Sequence, residues 1–238
     1  MSKLSELSIF FPFWNEEANI NAVVEKALQI APTVADNFEI LIVDDGSSDH
    51  TLDKANELSK KHSKVKVVSH KVNRGYGAAL RSGIEHSKYK YIVFTDGDLQ
   101  FDFSEITKFI EKIDQADMVI GFRKKRRDNK LFKRLLLMNL LKIWDFILFR
   151  FYFRDIDCGF KMFKKEAVEK IGPFHSEGAM ITTEILAKAT AKKLKIIQVG
   201  VNHYPREHGK QTGANLFVIV RAILESLSLF ADIKNKRF

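Results

Sequence analysis

The sequence predicts an α/β fold with a mostly parallel central sheet and helices on both of its faces. Three observations predict it. Short runs rich in β-branched and aromatic residues alternate with segments whose apolar residues recur at helical spacing, which implies βαβ units. No Pro/Gly/Ser-rich linker and no repeat divides the 238 residues, 45% of them hydrophobic, so the chain can bury one large core. Several strand-like runs stop at acidic, glycine-containing turns. Right-handed crossovers gather such strand ends along one edge, where open α/β sheets bind ligands.

Each element has its own signal. Leu7 to Phe11 is the first strand, with Pro12 ending it. From Glu16 to Ile30, Ile20, Val23, Val24, Ala27 and Leu28 fall on one helical face. Phe38 to Val43 is the second strand, and Ser48 or Asp49 caps a helix reaching about Lys61. Val65 to Val68 is a third strand, Gly75 to His86 a helix, and Tyr91 to Phe94 a buried fourth strand. Phe103 or Ser104 opens a further helix before the short strand Met118 to Ile120. The second half adds a strand at Phe160 to Phe163, a helix from Glu177 to Lys192 and a strand from Lys195 to Val201. It ends in a mostly apolar helix from Leu216 to Ile233, with Arg221, Glu225 and Asp232 as a thin polar stripe.

Chemistry-bearing residues collect at the strand ends. Pro12-Phe13-Trp14-Asn15-Glu16 follow the first strand and Asp44-Asp45-Gly46-Ser47 the second. Asp96-Gly97-Asp98 follow the fourth, and Gly121-Phe122-Arg123 the fifth. Two carboxylates as close as Asp96 and Asp98 repel each other unless a cation lies beside them. Oxygen donors of this kind suit Mg²⁺ or Mn²⁺, and Gln100 adds a neutral oxygen. The plain alternative is an Asp-Gly turn with helix-capping acids, and it applies equally to Asp44-Asp45. Three acidic strand ends on one edge favour a cleft over three unrelated turns.

The formal net charge of +9 suits an anionic partner: a nucleotide, a nucleic acid or an anionic lipid. A lone cysteine, Cys158, excludes an intrachain disulfide and fits a reducing cytoplasm. No signal peptide is expected, and no run reaches the ~20 apolar residues of a membrane span. A basic run, Arg123 to Arg127, precedes a very apolar stretch, Leu131 to Tyr152, interrupted by Lys142, Asp145 and Arg150. That stretch reads either as amphipathic helices in a bilayer interface or as a helix buried against another domain or subunit. The acids of Asp155-Ile156-Asp157 act on an acceptor or cap a turn, and Asn202 to Lys210 form a basic loop. A nucleic-acid partner is not expected, because the basic run has no interleaved aromatics and the acidic cleft repels phosphate without a metal.

Six segments together resemble glycosyltransferase family 2, in its dolichol-phosphate mannose/glucose synthase-like group. They are Pro12 to Glu17, Ile42 to Asp49, Asn73 to Ala79, Asp96 to Gln100, Asp155 to Lys161 and Tyr204 to Gly209. They stand in the family's order and cover about residues 7 to 213. The resemblance implies a GT-A fold, with a transferase domain over 1–213, an interface helical segment at about 130–153 and an amphipathic helix over 214–238. It implies that Pro12, Trp14, Glu16, Val43 and Asp44, with Asp45, hold the base and ribose of a nucleotide-sugar. Asp96 and Gly97 would lie at the ribose and diphosphate, and Asp98 and Gln100 would bind Mg²⁺ or Mn²⁺. Arg123, Arg134 and Arg206 would hold phosphates, with Lys210 also at the acceptor phosphate. Asp98, Asp157 and Arg206 would be the catalytic residues, and Asp157 and Glu184 would position the acceptor.

The implied activity is inverting transfer of a sugar to a polyprenyl phosphate by a protein peripheral to the cytoplasmic membrane face. A homo-oligomer or a membrane-protein partner is compatible with the apolar helices. The alternatives are transfer to a sugar of a lipid-linked glycan or cell-surface polysaccharide, which needs a true base, and a non-catalytic nucleotide-binding module. Some residues depart from the family. Trp14 stands where tyrosine is common, Gly97 replaces a frequent alanine as a small change, and Gln211-Thr212 replace a usual Ser-Lys.

Overall fold

The computed structural model describes residues 3–124, 143–144, 146–206 and 216–235, with backbone alone at 216–222. Its strands are β1 (Leu4–Phe13), β2 (Ala35–Asp44), β3 (Val65–Ser69), β4 (Tyr91–Phe94), β5 (Met118–Arg123), β6 (Lys161–Lys164) and β7 (Ile196–Val201). Its helices are α1 (Ile20–Val34), α2 (Thr51–Lys61), α3 (Tyr76–His86), α4 (Ile106–Ile113), α5 (Lys165–Ile171), α6 (Met180–Ala191) and α7 (Leu216–Lys234).

The strands form one sheet in the order β3-β2-β1-β4-β6-β5-β7. Strand β6 is antiparallel to β4 and β5, and every other pair is parallel. Both faces are covered, so the central strands are apolar throughout rather than alternating. Ile9, Phe11, Ile40 and Val93 pack on one side with α1, α2 and α4. Phe10, Leu41, Ile92 and Phe94 pack on the other with α3, α5 and α6. A third cluster joins Ile120, Phe149, Phe151 and Leu186 to Leu229 of α7.

The structure differs from the sequence expectation in three places. Pro12 continues β1 instead of ending it. Strand β4 stops opposite Phe10, so beyond that point only the β2 side of β1 is paired, and the N–H that proline lacks is not needed. Helix α1 begins at Ile20 rather than near Glu16, because Asn15 takes a φ of 53° and turns the chain. Helix α5 was not expected: at seven residues it is too short to display a helical period.

Most of the 130–153 segment lies outside the described residues. Its described end, helical at 146–149, turns Phe149 and Phe151 inward and leaves Ile143, Phe146, Ile147 and Tyr152 exposed. Trp144 Nε1 donates to Ser226 Oγ at 2.8 Å, and the rings of Phe149 and Phe230 lie 6.5 Å apart, joining this stretch to α7.

Candidate active site

The carboxyl edge of the sheet brings four strand ends together around the turn after β4. Asp98 Oδ1 accepts the Gln100 amide at 3.1 Å, and Leu99 takes a φ of 61°, so the turn is tight. Gln100 is clamped to the segment after β7 by two bonds. Tyr204 N donates to the Gln100 carbonyl at 2.9 Å, and Gln100 Nε2 donates to the Tyr204 carbonyl at 3.0 Å. Upstream, Glu105 accepts the Asn202 amide at 2.7 Å. Arg206, two residues beyond the clamp, is thereby carried over the cleft. One of its nitrogens bonds Glu16 of the β1–α1 turn, and Nη1 stands 3.5 Å from Asp98 Oδ2.

The two carboxylates of the turn are electrostatically strained. Burial, then the neighbouring Asp96, pushes Asp98 up to about 7. Burial also raises Asp96, against the opposing pull of Tyr76, Lys161, Arg123 and Arg206. Tyr76 Oη donates to Asp96 Oδ1 at 2.8 Å. Gly97 is demanded by its neighbour: a Cβ there would lie 2.4 Å from the Phe13 ring. Beside this phenylalanine, glycine in place of alanine is a packing requirement and not a small change.

The donor set fits a divalent cation shared with a substrate. Among the described residues no group of three or more His, Cys, Asp or Glu could hold a metal alone. Asp98 instead lies next to a second carboxylate, and Gln100, whose Nε2 is held by the Tyr204 carbonyl, brings a neutral oxygen to the same turn. That matches ions that keep waters and take their remaining ligands from substrate phosphates.

The other expected site residues divide into three groups. Trp14 (41% exposed), Glu16, Asp96, Asp98, Gln100 and Arg206 stand at the cleft edge, and Asp44 is enclosed at the end of β2. Asp44 is fully buried, yet its donors among the described residues, Ser47 N and Ser69 Oγ, are no closer than 3.4 Å. Pro12 and Val43 face each other across β1 and β2 just below this rim.

A second group is engaged within the fold. Asp45 accepts from Arg74 N at 2.9 Å and Gly75 N at 2.8 Å, and lies 2.6 Å from His70 Nδ1, so it shapes the turn before α3. Arg123 grips Asp155 in a fork, Nε to Oδ2 at 2.6 Å and Nη2 to Oδ1 at 2.7 Å; burial works to lower the guanidinium's pKa, and this pairing overrides that and raises it. Glu184 accepts from His175 N at 3.0 Å and Ser176 N at 2.8 Å and pairs with Lys188 at 2.7 Å. It is a buried structural acid, well occupied before any acceptor arrives. Asp157 is exposed on the turn before β6. Arg134 and Lys210 form the third group and lie outside the described residues.

Sequence reasoning did not separate out Tyr76, His70, Asp155 or Lys161. Lys161 is wholly buried, and its Nζ donates to the carbonyls of Ile156 (3.1 Å) and Cys158, bracing the turn before β6. Three of these four stand in the quoted motifs, but motif membership does not say which residues touch ligand and which hold others in place.

An open α/β sheet with a switch-point cleft, paired acids on one strand end and a guanidinium above them defines a GT-A glycosyltransferase architecture. The sequence profile described as Glycosyl transferase family 2 matches residues 8–172, and the chain belongs to that family. The dolichyl-phosphate beta-glucosyltransferase of Saccharomyces cerevisiae is 29% identical over 229 residues, covering 86% of this chain and 68% of the relative. That of Dictyostelium discoideum is 31% identical, covering 82% of this chain and 65% of the relative. The dodecaprenyl-phosphate galacturonate synthase of Rhizobium johnstonii is 25% identical, covering 97% and 68%. The chain thus spans about two thirds of the length of these relatives. Among solved structures, glucosyl-3-phosphoglycerate synthase of Mycobacterium tuberculosis, in complex with Mn²⁺, UDP-glucose and phosphoglyceric acid, superposes with a TM-score of 0.70. It covers 95% of this chain and 80% of that one at 22% identity, which establishes a shared fold.

Proposed function

We propose that the protein transfers a sugar, with inversion, from a nucleotide-diphosphate sugar to a polyprenyl phosphate. The observation that carries this reading is the convergence of Asp98, Asp96 and Arg206 at one point of the cleft. The leaving group is a nucleoside diphosphate, so negative charge grows on its β-phosphate. Arg206 stands within reach of that charge, and a fixed guanidinium in a partly buried site stabilises it strongly. A Mg²⁺ or Mn²⁺ ion held by Asp98 and Gln100 would neutralise the diphosphate as it departs. Trp14 offers a face on which a base can stack.

A phosphate nucleophile is already an anion and needs no general base. That agrees with Glu184 and Asp155 being engaged in ion pairs rather than aimed at the cleft. Arg123, tied to Asp155, serves this reading by fixing the turn before β6 more than by meeting phosphate. Relatives of polyprenyl-phosphate type support the acceptor class. The protein would sit on the cytoplasmic face of a membrane through the exposed apolar residues of 143–152 and α7. No helix among the described residues is long and apolar enough to cross a bilayer.

A donor screen tests the reading. UDP-, GDP- and other nucleotide sugars are offered with short polyprenyl phosphates and Mg²⁺ or Mn²⁺. Formation of a polyprenyl-phosphate sugar supports it. Turnover only with a sugar acceptor, lost in Asp157→Asn, would replace it with transfer to a glycan.

A further inference from the structure

Resting on the nucleotide-sugar reading of the cleft, we propose that Tyr76 is a positioning residue for the donor, holding Asp96 in the one orientation that receives the nucleotide. The first turn of α3 is where an α/β sheet usually meets a phosphate. Here that helix end is closed by the chain itself: the Glu177 carbonyl accepts Gly77 N at 2.7 Å and Ala78 N at 3.3 Å. A Cβ on Gly77 would also press to 2.4 Å on the Ser176 carbonyl, so the 176–178 segment sits tight on the helix start. What α3 sends into the site is therefore the side chain of its first residue.

Tyr76 reaches Asp96 Oδ1 with its hydroxyl at 2.8 Å. The other carboxylate oxygen is walled by backbone, since a Cβ on Gly159 would fall 2.0 Å from Asp96 Oδ2. Asp96 is thus held between a donor on one oxygen and the Gly159 backbone close to the other. The anchor is itself anchored. Asp45 takes the amides of Arg74 and Gly75 and so fixes the turn that launches Tyr76. Without the hydroxyl, Asp96 keeps its wall but loses the contact that sets its tilt.

The test is Tyr76→Phe, which keeps the ring and removes only the hydroxyl. Loss of a hydrogen bond to a charged group weakens donor recognition by about tenfold. Expected are a donor KM raised about tenfold, an unchanged acceptor KM, kcat within about threefold, and nucleoside diphosphate binding weakened equally when read by Trp14 fluorescence. Gly159→Ala, pressing on the opposite oxygen, should raise the donor KM in the same direction. A wild-type donor KM in Tyr76→Phe, with any loss confined to an apparent kcat that tracks the folded fraction, would overturn the proposal. If the wild type binds nucleoside diphosphate but makes no polyprenyl product, the acceptor reading fails while the Tyr76 comparison stands on binding alone. If it binds no nucleoside diphosphate, both fall.

Discussion

Arg206 Nη1 stands 3.5 Å from Asp98 Oδ2, across a cleft that no strand bridges. The guanidinium also holds Glu16, so one side chain ties the β1–α1 turn, the turn after β4 and the segment after β7. It does so beside a carboxylate that burial and Asp96 push up to about 7. In the metal-free protein, Arg206 is thus the counter-charge at the place where a divalent ion is proposed to bind.

That relationship predicts competition between protons and metal. Below about pH 7 a proton occupies Asp98, so Mn²⁺ affinity should rise by about tenfold per pH unit up to that point and level off above it. Isothermal titration between pH 5.5 and 8 reads this, and a flat profile would remove Asp98 from the metal site. The stability of the metal-free protein follows the same group. Its unfolded value is near 3.9. Between there and about 7 the folded state holds the extra proton, so stability falls as pH rises through that window. Asp98→Asn should lose both this slope and Mn²⁺ binding. Arg206→Ala should keep Mn²⁺ binding in titration yet lose turnover by about a hundredfold, the scale of one charge-stabilising donor.

Glu184 is predicted to matter for stability and not for chemistry. Burial alone would raise its pKa, but Lys188 and the amides of Ser176 and His175 hold it below the usual range. Glu184→Ala removes the carboxylate counter-charge of the buried Lys188 ammonium, leaving it the Pro173 carbonyl, and should cost about 3–5 kcal/mol, read as a large fall in Tm. The contribution is present above the unfolded pKa and is lost as pH falls through the lower folded value. The Tm gap between wild type and variant should therefore narrow in acid. Activity per folded molecule should remain, and a specific loss of kcat would return Glu184 to the site.

The contrast between Asp98 and Glu184 marks what was legible in the sequence. Strand ends follow from local pattern, because a β-branched run stopping at acids needs only neighbours in the chain. That pattern, with the crossover rule, placed Trp14, Asp44, Asp96 and Arg123 on one edge before any coordinates. Partner choice was not legible, because it depends on residues far apart in sequence. Arg123 meets Asp155 across 32 positions, and Arg206 meets Glu16 across 190. The reversal of β6 was likewise hidden, since its pattern is the same whichever way the strand runs. Tyr76 and Lys161 lay within recognised motifs, but only packing showed them to support other groups.

Gly97 gives a prediction that turns on one ring. A methyl at this position would stand 2.4 Å from Phe13, whose side chain is buried beneath the turn. Gly97→Ala should cost about 1–3 kcal/mol of stability by overpacking and raise the donor KM as the turn shifts. Phe13→Leu makes room. The double variant should recover part of both losses, a favourable coupling above about 0.5 kcal/mol in a double-mutant cycle. Simple additivity would mean that the Phe13 contact does not set the choice of glycine.

The exposed apolar residues of 143–152 and α7 carry the last prediction. Ile143, Phe146 and Ile147 are exposed in the 143–152 stretch and Leu224 and Leu227 on α7, and a Trp144–Ser226 bond joins the two. Leu224 is 63% exposed and Ile147 59%, a large apolar exposure for side chains of this size. A bilayer accounts for them together with the net charge of +9, since apolar insertion and attraction to anionic headgroups act in the same direction. A second copy of the chain would cover the apolar residues without using the charge. The double substitution Leu224→Glu and Leu227→Glu separates these. Both positions face outward, so Tm should change little. If the surface is a membrane dock, co-sedimentation with anionic vesicles should be lost, while the mass in solution stays that of one chain before and after. Turnover of a short, soluble polyprenyl phosphate should survive, and turnover of a long acceptor in vesicles should fall. Vesicle binding that persists in the double variant, or a wild-type dimer that it splits, would assign these residues to something other than the lipid surface.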